Sequence, residues 1–249
     1  MRREMRITAD GLHYKELNEK IFDAVQKGEK EFVLDDVNGQ RFIADALKGN
    51  IKIDVFGVPG NDLGMFMDGP TITVYGNAQD GVGNTMSSGK IIIHGDGRDI
   101  VGHSMRGGTI FVKGDVGYRV GIHMKTYKSS IPVIVAGGKA GDFLGEYMAG
   151  GVIIILGLNS SDELETLGEW IGTGQHGGAI YVRGKVDESK LGNGTSQLKM
   201  TKEDEKLVRT VLIDYCDTFN LDINEILAST FTKIAPQSHR PYAALYTCD

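Results

Sequence analysis

The fold is decided by a short motif that returns along the chain. It is found as LGMFMDG at residues 63–69, VGNTMSS at 82–88, VGHSMRG at 101–107, VGIHM at 120–124, LGEYMAG at 144–150 and IGTGQHG at 171–177. Each copy has an apolar residue followed by a glycine, here called the lead glycine. The lead glycines are Gly64, Gly83, Gly102, Gly121, Gly145 and Gly172. The first four are 19 residues apart, which indicates a repeat architecture.

A β-branched run ending at glycine follows each copy of the motif. The runs are TITVYG, KIIIHG, TIFVKG, PVIVAG, VIIILG and AIYVRG. Short Val- and Ile-rich runs bounded by glycine predict strands. When the runs are aligned on their final glycine, the second and fourth residues before it are always Val or Ile, and alternate residues of a strand share one face.

A unit with one strand and no helix cannot bury its apolar side alone, but stacked copies bury a continuous core. The sequence therefore predicts an all-β core, a single-stranded right-handed parallel β-helix of about seven coils. That number includes a weaker copy at residues 43–49, in which Ala44 replaces the lead glycine.

The sequence changes character at both ends of the repeats. We expect an N-terminal helix and cap over residues 1–42, because apolar residues recur there at helical spacing. The β-helix is predicted over residues 43–190. A C-terminal helical segment and tail are predicted over residues 191–249, with the helix starting after Thr201, which has Asp204 three positions later.

An outward-facing column of the strands is unusually apolar. It is predicted three residues before each final glycine, where Thr73 is followed by the candidate interface residues Ile92, Phe111, Ile134, Ile154 and Tyr181. An exposed strip of this kind is uncommon on a monomer. Two explanations stay open: the C-terminal helix covers the column, or another protein does.

Composition narrows the function classes. The 249 residues include 35 glycines, and the formal net charge of −6 argues against a general nucleic-acid binder. No apolar run approaches the roughly 18 residues of a membrane span. The two cysteines, Cys216 and Cys248, are too few for a disulfide framework, so a reducing cytoplasm is the expected location.

No catalytic, cofactor-binding or metal-binding residues are predicted in this chain. Asn77, Asp96 and Asp115 are 19 residues apart and should stack, but we expect them to form turns rather than to bind a cation. The histidines at 103, 123 and 176 stand at different positions of the repeat, which argues against a shared metal. The segment GDGRDIVG at 95–102 leads into the next coil and not into a helix that would hold phosphate.

Residues 56–184 resemble the GXGXG β-helix domain at the C-terminal end of the glutamate synthase large subunit. The matching segments are FGVPGNDLGMFMDGPTITVYGNAQDGVGNTMSSGKIIIHG, DVGYRVGIHM, LGEYMAGGVIIILG and GQHGGAIYVRG. The chain has nothing that resembles the nucleophilic N-terminal cysteine, the FMN barrel or the iron–sulfur cysteines of that enzyme. The resemblance therefore implies a separate, non-catalytic subunit of a split glutamate synthase, with FMN and the clusters in partner subunits.

The implied partners are the amidotransferase and FMN-binding subunits, and a homo-oligomer is also compatible with the sequence. Two alternatives remain. The chain is also similar to the formylmethanofuran dehydrogenase component that has a domain of this kind. A free-standing ligand-binding β-helix protein, in contrast, would carry its site on an outer groove.

Overall fold

The computed structural model describes residues 4–237, so Cys248 and the end of the predicted tail lie outside the described residues. Three helices are present: α1 (Tyr14–Gln26), α2 (Lys202–Phe219) and α3 (Ile223–Leu227). The strands are β1 (Met5–Thr8), β2 (Glu31–Asn38), β3 (Lys52–Val58), β4 (Asp68–Val74), β5 (Ser88–Ile93), β6 (Thr109–Val112), β7 (Val133–Ala136), β8 (Ala149–Ile155), β9 (Gly177–Arg183), β10 (Thr195–Leu198) and β11 (Phe231–Pro236). None of the helices within residues 4–237 is both long enough and apolar enough to cross a membrane.

The strands form one sheet in which β1 to β9 stack in chain order, each parallel to the next. This confirms the predicted parallel solenoid, which makes about six turns. At its C-terminal end β11 pairs antiparallel with both β9 and β10. These two strands come from the region that the sequence predicted as helix and tail, and they cover the edge that β9 would otherwise leave open.

The interior is a column of Ile, Val, Leu and Met side chains without contact to water. The predicted methionines, the apolar residues before the lead glycines and the interior residues of β4, β5, β6, β8 and β9 have no exposed surface. Helix α1 closes the N-terminal end of this core through Leu17 and Ile21, which are buried in the same cluster. The sequence predicted this core because stacking in register turns a repeat position into a spatial column.

One coil differs from the predicted alignment. Strand β7 pairs Ile134 with Ile110 and Val135 with Phe111, so Ile134 is buried in the core and Val135 faces outward. The prediction that Ile134 faces outward was wrong, because the run was aligned on Gly137. The equivalent residue is Gly138, whose backbone N–H donates to the Gly114 carbonyl as Gly114 does to Gly95.

Each coil turns its corner with alternating left-handed residues. The lead glycine has a φ near +70° at Gly102, and the residues two before it and two after it, Ile100 and Ser104, are also at positive φ. The N–H of Gly102 donates to the preceding coil at Val82, whereas those of Ile100 and Ser104 donate to the following coil. The corner is therefore held by hydrogen bonds on both sides, which stabilises a conformation that costs L-residues about 1–2 kcal/mol.

Candidate interaction surfaces

Helix α2 covers the apolar outward column. Phe111, Ile154 and Tyr181 are at most 2% exposed and pack in one cluster with Val135 and with residues of α2. The α2 members of this cluster are Val208, Leu212, Tyr215, Cys216 and Phe219. Ile92 is partly buried at the edge of the cluster. Of the two explanations for this column, the structure gives coverage within the chain, so these residues are not an exposed surface for a partner.

Two polar contacts fix α2 on the sheet. At its N-terminal end the Tyr181 hydroxyl donates to Asp204, and Lys233 of β11 donates to both oxygens of the same carboxylate at 2.8 Å. Burial alone would raise the pKa of Asp204, but the hydrogen bonds from Lys233, Tyr181 and Thr201 outweigh it and lower this pKa to about 2. Further along, the Tyr215 hydroxyl donates to the Val112 carbonyl at 3.0 Å.

The length of α2 matches the length of the apolar column. From Asp204 to Phe219 the helix rises about 22 Å, and the five strands from β9 to β5 span about 19 Å. Phe219 reaches the ring of His94 at 5.3 Å, at the end of β5. Beyond that point the column continues with the polar residues Thr73 and Asp54, so the sequence becomes polar where the helix ends.

His94 is part of a stack of rings and not a freely solvated side chain, as its outward position had indicated. Its ring lies 5.0 Å from that of Tyr75, which lies 4.6 Å from Phe56. Burial and, second, the charge of Lys113 lower the pKa of His94. The neutral imidazole is therefore favoured here, as suits packing against aromatic rings.

The polar ladders link neighbouring coils. The side chain of Asn77 accepts a hydrogen bond from the Asp96 backbone N–H, and Asp96 accepts one from Asp115, each at 2.9 Å. Asp115 in turn accepts from the Lys139 N–H at 2.7 Å. We expected these residues to bind their own turns, but they accept from the next coil instead. Their oxygens are thus used in stacking, as the non-metal interpretation requires.

The titratable groups show no arrangement for nucleophilic or metal chemistry among residues 4–237. His103 and His123 lie 6.2 Å apart between ring centroids, and no third ligand joins them in a group able to hold a metal ion within this range. Cys216 is buried under α2, and burial, followed by the charge of Asp217, raises the pKa of its thiol. The protonated thiol is a weak nucleophile.

Exposed aromatic and basic side chains form a second surface, at the left-handed corners. We call this set, Arg119, His123, Phe143, Tyr147 and Trp170, the corner strip. Phe143 and Trp170 stack at 4.9 Å, and the Arg119 guanidinium lies 4.7 Å from the Phe143 ring centroid. His123 and Tyr147 stack at 5.4 Å. Trp170 is 53% exposed and Tyr147 is 47% exposed.

Sequence reasoning missed the corner strip because it followed the strands. Its residues stand two positions before or two positions after the lead glycines Gly121, Gly145 and Gly172, so the signal was in the repeat itself. Arg119 is further fixed by Glu146, whose carboxylate accepts its Nε–H at 3.0 Å. Aromatic side chains and arginine are the residue types that most often dominate protein interfaces.

The predicted lead glycines all occupy equivalent corners at positive φ. The column continues at Gly192, whose N–H donates to the Ile171 carbonyl as that of Gly172 does to Leu144. The sequence predicted that the repeat fades at this point, because the segment after residue 184 is polar. The lead glycines therefore serve the stacking of the coils, and the exposed chemistry lies in their neighbours.

Comparison with known proteins agrees with this architecture. The chain is 53% identical over 254 residues to "Uncharacterized protein MJ1350" of Methanocaldococcus jannaschii, which covers 99% of this chain and 97% of the relative. Residues 32–239 match the GXGXG motif family, and the match includes the solenoid from β2 onward. With most of its length matched, the chain belongs to the GXGXG motif family, the family of the glutamate synthase C-terminal domain.

Proposed function

We propose that the chain is a non-catalytic scaffold subunit of a split glutamate synthase. In this role it holds the amidotransferase and FMN-binding subunits together while they form glutamate from glutamine and 2-oxoglutarate. The observation that carries the proposal is the family match over residues 32–239. The inert environment of Cys216 and the stacking role of the acidic ladders support a structural part in the complex.

The corner strip is the surface that we assign to one of these partners. It offers stacked rings and a fixed guanidinium on a backbone held from both sides, so little conformational freedom is lost on binding. Its aromatic residues also occupy a conformation that disfavours them: Trp170 has a φ of 58°, and Gly81 occupies the same column at 77°. A bulky side chain at this position costs stability, which favours a role in recognition.

Reconstitution tests the function. The full chain is purified with the amidotransferase and FMN-binding chains, and the three are separated by size exclusion. We expect co-elution and glutamine-dependent glutamate formation that falls when this chain is omitted. If glutamate forms at the same rate without it and nothing co-elutes, the scaffold function is wrong. Co-purification with a molybdenum or tungsten formylmethanofuran enzyme instead would also contradict it.

Trp170→Gly tests the corner strip within that complex. We expect the variant to remain folded, because glycine relieves about 1–2 kcal/mol of backbone strain while the lost stacking with Phe143 costs about 0.5–1.5 kcal/mol. Its affinity for the partner should fall at least about tenfold. The control is Tyr127→Gly, which removes an equally exposed ring from the insertion outside the strip. Equal affinities for both variants would remove the corner strip from the proposal.

A further inference from the structure

A pocket with a volume of about 400 Å³ lies between helix α1 and the first turn of the solenoid. The helix contributes Tyr14, Asn18 and Phe22 to its lining, and the turn contributes Phe42 and Leu47. The two elements are tied together by the Asn18 side chain, whose amide donates to the backbone carbonyls of Tyr14 and Arg41. The pocket is therefore formed by fixed elements of the fold.

Aromatic rings make up much of the pocket wall. Tyr14 and Phe42 meet edge to face at 5.7 Å, and the Arg41 guanidinium stacks over both rings from outside the lining. Phe22 is 54% exposed, the largest exposed fraction among the apolar and aromatic side chains found exposed in residues 4–237. An aromatic ring this open to water beside a cavity is available to cover part of an occupant.

The charge of the pocket is unbalanced. Its lining contains the carboxylates of Glu19, Asp23 and Asp45 and one cation, Lys15. Within the described residues none of these carboxylates has a basic nitrogen within 4 Å. Burial and, second, the negative charge of Asp62 raise the pKa of Asp45. The pocket thus holds negative charge that no neighbouring cation offsets.

We propose that this pocket receives a lysine or arginine side chain of a partner protein. Carboxylates bind ammonium and guanidinium groups through charge-assisted hydrogen bonds, and aromatic faces attract the same cations. A side chain tethered to a protein fits better than a free amine. An exposed ion pair in water is weak by itself, whereas a docked partner also covers Phe22 and loses no separate translational freedom for the side chain.

The inference rests on the proposed function only in that a partner exists, and its first test uses that complex. The double variant Glu19→Gln/Asp45→Asn keeps the shape of the pocket and removes two charges. We expect its affinity for the partner that contacts the N-terminal end to fall at least about tenfold. The matched control is Glu29→Gln, an exposed charge after α1 that does not line the pocket. Unchanged affinity of the double variant would overturn the inference.

A second test needs no partner. The full chain, labelled with ¹⁵N, is titrated with n-butylammonium chloride and N-butylguanidinium chloride, with n-butanol and sodium chloride as controls. We expect saturable amide shifts at Asn18, Phe22 and Asp45 with the cations alone, and loss of these shifts in the double variant. Shifts of equal size with butanol, or none with either cation, would overturn the cation site. A wild-type chain that binds the cations but neither synthase subunit would instead refute the proposed function.

Discussion

Gly102→Ala tests the physical basis of the solenoid, the lead glycine at the corner of each coil. Gly102 has a φ of +70°, and a Cβ atom added there would lie 2.3 Å from Cδ1 of Ile134. The left-handed conformation costs alanine about 1–2 kcal/mol, and forcing a methyl group into a filled core costs about 1–3 kcal/mol more. The free energy of unfolding should therefore fall by about 2–5 kcal/mol.

Gly11→Ala supplies the matched control. Gly11 has nearly the same φ, +69°, but a Cβ atom there would meet nothing within 4 Å. This variant should lose only the conformational part, about 1–2 kcal/mol. Urea unfolding followed by circular dichroism measures both variants against the wild type. A loss at Gly102 that does not exceed the loss at Gly11 would refute the reasoning that the interior Ile column excludes a side chain at the lead position.

Three further predictions concern the helix that covers the sheet and the register beneath it, and urea unfolding measures all of them. Tyr215→Phe should destabilise the protein by about 1–3 kcal/mol, because it leaves the buried Val112 carbonyl without a donor. Asp204 contributes stability above the pKa of the unfolded chain, about 3.8, and loses it as pH falls toward the folded value of about 2. The difference in stability between wild type and Asp204→Asn should therefore shrink as pH falls from 5 to 2, and a constant difference would contradict the assignment. Ile134→Ala should cost about 2–5 kcal/mol and Val133→Ala clearly less, since only the isoleucine is fully buried; the opposite order would restore the alignment on Gly137.

The fold was predictable because a parallel solenoid converts sequence period into spatial contact. Ile72, Ile91 and Ile110 are 19 residues apart and lie directly above one another. No long-range information was needed to place them, since each coil repeats the geometry of the one before. The same property explains why the lead glycines were found by spacing alone.

The error in β7 arose where the period was broken. The coil that ends there carries the insertion around residues 125–130, and two glycines, Gly137 and Gly138, follow its strand. Either glycine satisfies the sequence pattern, and only hydrogen bonding to Gly114 shows which one occupies the corner. Spacing cannot resolve a shift of one residue after an insertion, although such a shift exchanges the inner and outer faces of the strand.

The placement of α2 and the composition of the two candidate surfaces could not be derived in this way. The apolar face of α2 was visible in the sequence, but its contact with β6, β8 and β9 joins segments far apart in the chain. The pocket beside α1 likewise combines a helix with the first turn, which no repeat relates. Contacts between unlike elements depend on tertiary packing, for which a single sequence offers no register.

The division of surfaces indicates where this protein can vary without losing its fold. Its core is uniformly apolar, and its outer sheet face from β5 to β9 is covered by its own helix. The corners differ, because their backbone is fixed by hydrogen bonds to both neighbouring coils whatever the side chain is. Position by position they hold glycine at Gly81, arginine at Arg119 and tryptophan at Trp170. Recognition placed there leaves the stacking intact, so a scaffold can change partners at its corners while its coils stay the same.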